Sequence, residues 1–305
     1  MAHLTLGVRN NAVGLRHAGW LVNHVREVHP AFRIEIRPVT TTLDQQRGGE
    51  PIVPGRTPGG SEELWTDLRT GSIDAAWLDL RESRWPLPDD LDLVTCFARR
   101  TPRDALLHKQ GVTFTKLPPG ARLSTMSAVS KMQIAAARTD VVWVSLTGDL
   151  PTRLHKVHLQ QVDGIVESAS DLLSLGFDDK AFQYLSTDTV LPSPGQGVWG
   201  VCTLRERADI GKLMEAFEDA KARLCAVTEL SFAREIGLPE TVPIGAWARA
   251  QTKKLMLDAC ILTPGETHPL RLSISGPPSK SRELVAALIE MFRQQGIGRP
   301  VKPRK

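Results

Sequence analysis

The chain sets its architecture in residues 4–39, LTLGVRNNAVGLRHAGWLVNHVREVHPAFRIEIRPV. Residues 4–9 alternate apolar and polar with period two, as a strand with one buried face does. Leu15, Ala18, Val22, Val25 and Val28 then recur at the spacing of one helix face, and the helix must stop before Pro30. Residues 33–39 alternate again. Strand, helix and strand at this spacing make a βαβ unit, which calls for an α/β sheet with parallel pairing.

The same grammar continues outward. A helix starts at 61–64, Gly71 ends it, and 73–78 reads as a short apolar strand. Before it, 48–60 (GGEPIVPGRTPGG) is a loop long enough to act as a lid, or else a disordered segment. Residues 101–107 connect to a second unit with a helix at 130–137, a strand at 141–146, a helix at 152–158 and a strand at 164–166. The chain breaks sharply at 192–197 (PSPGQG). The expected result is two α/β lobes around a cleft, with ligands bound at the carboxyl ends of the strands. Beyond about residue 210 come helices, a strand at 254–262, a turn at 264–266, a partner strand at 269–274 and an amphipathic helix at 281–295. These form a small third α/β domain.

Composition bounds the function. A chain of 305 residues supports two or three domains, and 41% hydrophobic with 24% charged residues is the balance of a soluble globular protein. No run approaches the roughly 18 apolar residues of a membrane span, and residues 1–9 lack signal-peptide organisation, so a cytoplasmic location is expected. Cys96, Cys202, Cys225 and Cys260 are scattered, as reduced, buried thiols are. The formal charge of +4 sits partly in the Pro-rich tail 299–305, so no nucleic-acid or membrane partner is inferred. His155 and His158 share a helix face without a third ligand, and no metal site is expected. GQGVWG at 195–200 fits G-x-G-x-x-G, but a strand follows it where a dinucleotide site needs a helix.

Between the helix at 224–233 and a strand opening at 244 lies REIGLPETVPIGA, residues 234–246. Gly237, Pro239, Pro243 and Gly245 are too dense for a helix interior or a central strand, so this is expected to be a surface loop. Its PIGA end (243–246) follows SIDAA (72–76), PRDAL (102–106), LTGDLPTRL (146–154) and PGQG (194–197). In this order and spacing, over about residues 4–248, the motifs resemble those of the porphobilinogen deaminase (hydroxymethylbilane synthase) family. The resemblance implies two periplasmic-binding-protein-like lobes plus a small third α/β domain. Domain 1 would span 1–99 and 196–212, domain 2 100–195, and domain 3 213–305 with the former cofactor loop at 236–246.

The departures fall where the family's chemistry lies. That family holds a dipyrromethane cofactor through a cysteine thioether in this loop, and the matching position is Glu240. A carboxylate cannot supply the sulfur, so no dipyrromethane is expected. The family's catalytic aspartate corresponds to Glu82, the candidate general acid/base or iminium-stabilising group. The resemblance places Arg9, Arg81, Thr125, Ser127, Arg153 and Gln196 on the substrate, but Val129, Ser130, Thr147 and Ser174 stand where the family carries arginines. Each lost charge-assisted bond is worth about 1.5–3 kcal/mol, which favours a small pyrrole or aromatic substrate with few carboxylates. Trp77 and Trp85 flank the Glu82 segment and are candidates to stack on a flat ligand.

The implied enzyme is a transferase. It would join a pyrrole electrophile of the azafulvene type, formed by loss of ammonia or water, to a second pyrrole or aromatic nucleophile without a tethered primer, in small-molecule biosynthesis. One alternative is a non-catalytic two-lobe ligand-binding protein. Another is an ordinary hydroxymethylbilane synthase, which needs another thiol to hold its cofactor, and Cys225 lies about four turns before Glu240.

Overall fold

The computed structural model describes residues 3–42, 61–239, 241–263 and 266–298. The loop at 48–60, expected as a lid or a disordered segment, and Glu240 lie outside them. The chain begins with β1 (His3–Arg9), α1 (Ala12–Val28), β2 (Arg33–Val39), α2 (Glu62–Arg69), β3 (Ala75–Asp79) and β4 (Leu91–Cys96). It continues with β5 (Asp104–His108), β6 (Arg122–Ser124), α3 (Ala128–Ala137), β7 (Val142–Trp143), α4 (Leu150–His158), β8 (Gly164–Ser168), α5 (Ala169–Ser174) and β9 (Gln183–Tyr184). It then returns through β10 (Trp199–Leu204) and α6 (Ala208–Met214), and ends with α7 (Ala220–Glu235), β11 (Ile244–Ala250), β12 (Leu255–Ile261), β13 (Leu270–Gly276) and α8 (Ser281–Gln294).

Two five-stranded sheets share one pattern. The first runs β2-β1-β3-β10-β4 and the second β7-β6-β8-β5-β9. In each, the first three strands are parallel and the last two neighbours pair antiparallel. Thus β10 re-enters the first sheet after the whole second lobe. The protein is a two-lobe α/β fold with a third, three-stranded antiparallel sheet, β11-β12-β13, covered by α8.

Local chemistry explains the elements that frame the cleft. Asn11 caps α1 by accepting the Gly14 N–H at 2.8 Å. Ala18, Leu21 and Val25 then pack on Leu4, Leu6 and Val8 of β1. Val28, expected on the buried face, is exposed at the helix end. β3 is buried along its whole length, as a central parallel strand covered on both faces must be. α7 is apolar on two sides. Ala222, Ala226 and Leu230 face the first sheet, while Cys225 and Phe232 enter the core of the third. The expected strand at 141–146 shortens to the two residues of β7, because its one neighbour among the described residues, β6, is itself three residues long.

The loop after α7 departs from the expected surface turn. Ile236 is 1% exposed and packs in the third core with Leu238 and Val242, and Leu238, Pro239, Pro243 and Ile244 line the cleft. At the return between lobes, Gly197 has φ +75°, and a Cβ there would sit 2.2 Å from the Thr101 carbonyl oxygen. Only glycine fits.

Candidate active site

A cleft of about 1350 Å³ opens between the lobes, walled on one side by the loop after α7. The carboxyl ends of β1, β3, β6 and β8 all reach it, delivering Arg9, Asp79, Thr125 and Glu167 respectively. β3 ends in Asp79, whose carboxylate accepts the Arg81 N–H at 3.0 Å and so starts the short turn Leu80–Glu82 that carries Glu82 into the cleft.

The structure gathers Glu82, Arg9, Arg81, Thr125, Ser127 and Arg153 at this one cleft. It also shows each arginine holding an internal carboxylate. Arg9 pairs with Glu82. Arg81 reaches Asp79 at 2.8 Å and, across the cleft, Asp171 of α5 at 2.9 Å. Arg153 pairs with Glu167. Ser127 is the N-cap of α3, accepting the Ser130 N–H at 3.1 Å, and Thr125 Oγ1 accepts the Ser127 N–H at 3.1 Å. Gln196 also lines the cleft but is 1% exposed, and its Nε2 donates to the Pro102 carbonyl at 2.7 Å and to Asp104 at 2.9 Å.

The tryptophans divide. Trp77 is a core residue, stacked on Trp199 at 5.5 Å and edge-on to Phe97 at 5.1 Å, so it does not supply the expected ligand platform. Trp85 remains on the cleft wall, its Nε1 donating to Ser231 Oγ at 3.3 Å. Trp199 also stacks on His17 at 4.1 Å, and His17 Nε2 lies 2.6 Å from Ser174 Oγ in the other lobe. Burial lowers the His17 pKa to about 4, so the imidazole bridging the lobes is neutral. His155 and His158 stack on α4. Among the described residues, no group of three metal-ligating side chains occurs.

Burial shapes the acids that sequence reasoning left unassigned. Asp79 is pushed up to about 7, chiefly by desolvation, with Arg81 opposing and the charges of Glu82 and Asp171 adding to the rise. Asp104 is pushed up to about 6 by desolvation, against the hydrogen bonds from Ser130 and Gln196. The line DAAWLD held the signal for Asp79, a charged residue closing an apolar strand where that strand meets a cleft.

Asp104 gives a testable pH dependence. Its folded pKa lies above its unfolded value near 3.8, so between about pH 4 and 6 the folded state binds more protons and stability falls as pH rises. Asp104→Asn, which stays neutral, is expected to remove on the order of 2–3 kcal/mol of that decline. Urea unfolding of both proteins at pH 4.5 and 7.5 measures it, and parallel stability profiles would refute it.

Comparison with known proteins places the chain in a family. The family model "Porphobilinogen deaminase, dipyromethane cofactor binding domain" matches residues 4–212. A porphobilinogen deaminase of Roseiflexus sp. (strain RS-1) is 31% identical over 258 residues, 85% of this chain and 85% of that protein. That of Roseiflexus castenholzii is 30% identical over 96% of each chain, and that of Syntrophotalea carbinolica 29% identical over 97% of this chain and 94% of its own. With more than half of the chain matched by the model and most of it by these relatives, the chain belongs to the porphobilinogen deaminase family.

Proposed function

We propose that this member of a family that supports a pyrrole-polymerising transferase couples a pyrrole electrophile to a second pyrrole or aromatic carbon in small-molecule biosynthesis, without a tethered dipyrromethane. The observation that carries the untethered reading is the placement of sulfur. All four cysteines of the chain are buried, and none is among the described residues lining the cleft. Burial pushes Cys96, Cys202 and Cys260 up to about 12 and raises Cys225 as well, so none is poised as a thiolate. The residues present do not fit a thioether-linked cofactor.

The chemistry asked of the cleft is modest. The C–N bond of an aminomethylpyrrole, protonated on its amine as it is near neutral pH, breaks and ammonia leaves with the bonding pair, giving a cationic azafulvene. A pyrrole carbon of the second substrate attacks the exocyclic methylene, and the proton at that carbon must then be removed. Glu82, held in place by Arg9 and largely buried, is suited to stabilise the cation, because a fixed carboxylate needs little reorganisation as charge develops. Asp79, titrating near 7, is suited to take the proton.

The reading predicts coupled products from simple aminomethyl- or hydroxymethylpyrroles, with ammonia or water released and detected alongside product by mass spectrometry. A linear tetrapyrrole from porphobilinogen would restore the ordinary synthase. Binding without product from any pyrrole would favour a two-lobe ligand-binding protein.

A further inference from the structure

We infer that Glu167 and Asp171 are specificity residues, internal carboxylates that occupy the cleft's arginines in place of substrate carboxylates. This rests on the pyrrole-binding role proposed above and names the substrate class of that site.

The placement of Glu167 is the first observation. β8 reads GIVES and lies at the centre of its sheet, between β6 and β5. A central strand covered on both faces is normally apolar throughout. Glu167 interrupts that run between the buried residues Val166 and Ser168, and its carboxylate meets Arg153 of α4. The side chains of Glu167 and Arg153 are 10% and 6% exposed. A charge so placed is costly unless paired, and the pair faces the cleft.

Asp171 repeats the arrangement from the first turn of α5, reaching Arg81 of the opposite lobe. A guanidinium fork is the natural partner of a ligand carboxylate, and here both forks already hold one. The lining as a whole is balanced, with seven Arg or Lys side chains against seven Asp or Glu among the described residues. A substrate carboxylate approaching Arg153 or Arg81 must displace a protein carboxylate or lie against it. The cleft therefore selects pyrroles, or similar flat heteroaromatics, that lack carboxylates at these two positions and carry a neutral or cationic aminomethyl group.

Glu167→Ala is the cleaner test, because Arg153 and Glu167 share one lobe whereas Asp171 also ties the lobes together. The variant lacks the equivalent of one propionate. Its Tm is expected to rise by several degrees in propionate relative to chloride at equal ionic strength, with the parent unmoved. Porphobilinogen, which bears an acetate and a propionate, is expected to bind the variant about tenfold tighter by calorimetry, the gain of one charge-assisted bond. A folded variant with no carboxylate preference and unchanged porphobilinogen affinity would overturn the inference. If Glu167→Ala does not fold, Glu167→Gln decides. It keeps the shape and removes the charge, so porphobilinogen affinity should rise without propionate rescue, and unchanged affinity refutes the idea. The thermal readout does not depend on turnover. Carboxylate rescue with no coupled product would retain the specificity role and remove the transferase, and product without rescue would do the reverse.

Discussion

Replacing Glu82 by Gln is expected to lower the coupling rate by about 100- to 10,000-fold, the usual contribution of a positioned acid or base, while substrate affinity changes little. The reason is location. Glu82 sits where β3 delivers its turn to the cleft, and its carboxylate is fixed by Arg9. Gln preserves the shape and the ability to accept one hydrogen bond, but it cannot balance a cationic ring. Glu82→Asp retains the charge and withdraws it by one methylene, and a displacement near 1 Å can cost about 100-fold at a reacting centre. The measurement is single-turnover product formation set against calorimetric binding, with circular dichroism to show that the fold is intact. Rates equal to the parent's in both variants would remove Glu82 from the chemistry and leave Asp79 as the next candidate. Asp79→Asn would then be expected to abolish any pH limb near 7 in the rate profile, the limb its raised pKa predicts.

How much of this was legible in the sequence depended on the range of the interaction. The βαβ opening was plain because period and spacing are local. The side chains of residues 4–39 encode their own burial, and β1 and β2 pair in parallel register over their full length. The 194–197 turn was legible as a break, although the reason for Gly197, the approach of the Thr101 carbonyl, needed coordinates. The arginines were read correctly as cleft residues. Their pairing with internal carboxylates was not read, and two of those partners lie far along the chain: Glu167 is 14 residues from Arg153, and Asp171 is 90 from Arg81. The family resemblance therefore placed three arginines on the substrate, whereas the charges lining the folded cleft are balanced among the described residues. One local clue existed, the glutamate inside the apolar strand GIVES, since a charge in such a strand asks where its partner is. The loop at 234–246 misled in the other direction. Its glycines and prolines do break regular structure, but Ile236, Leu238 and Val242 between them are apolar and pack inward, so the turn is a wall of the cleft.

The largest loss of stability is expected at Glu229, which no motif marked. This α7 side chain is 1% exposed and takes four hydrogen bonds. Arg99 donates to both its oxygens at 2.8 and 2.7 Å, Gly195 N–H donates at 2.8 Å and Ala248 N–H at 2.7 Å. Arg99 lies where the chain leaves the first lobe, Gly195 where it comes back, and Ala248 on the first strand of the third sheet, so one carboxylate ties both crossings to the third sheet. Glu229→Gln puts an amide donor where two N–H groups and a guanidinium already donate, and Arg99 loses its buried counter-charge. The expected cost is about 3–5 kcal/mol, read as a fall in the urea midpoint with little change in slope. A buried ion pair that served only itself could be replaced by two apolar side chains at almost no cost. That escape is closed here. Arg99→Leu with Glu229→Leu still leaves the Gly195 and Ala248 amides without their acceptor, at about 1–3 kcal/mol each. The double variant should therefore recover only part of the single variant's loss. Full recovery would show that the backbone contacts contribute nothing and that the pair is merely tolerated. Partial recovery would identify Glu229 as the fastening on which the relative placement of both lobes, and hence the width of the cleft, depends.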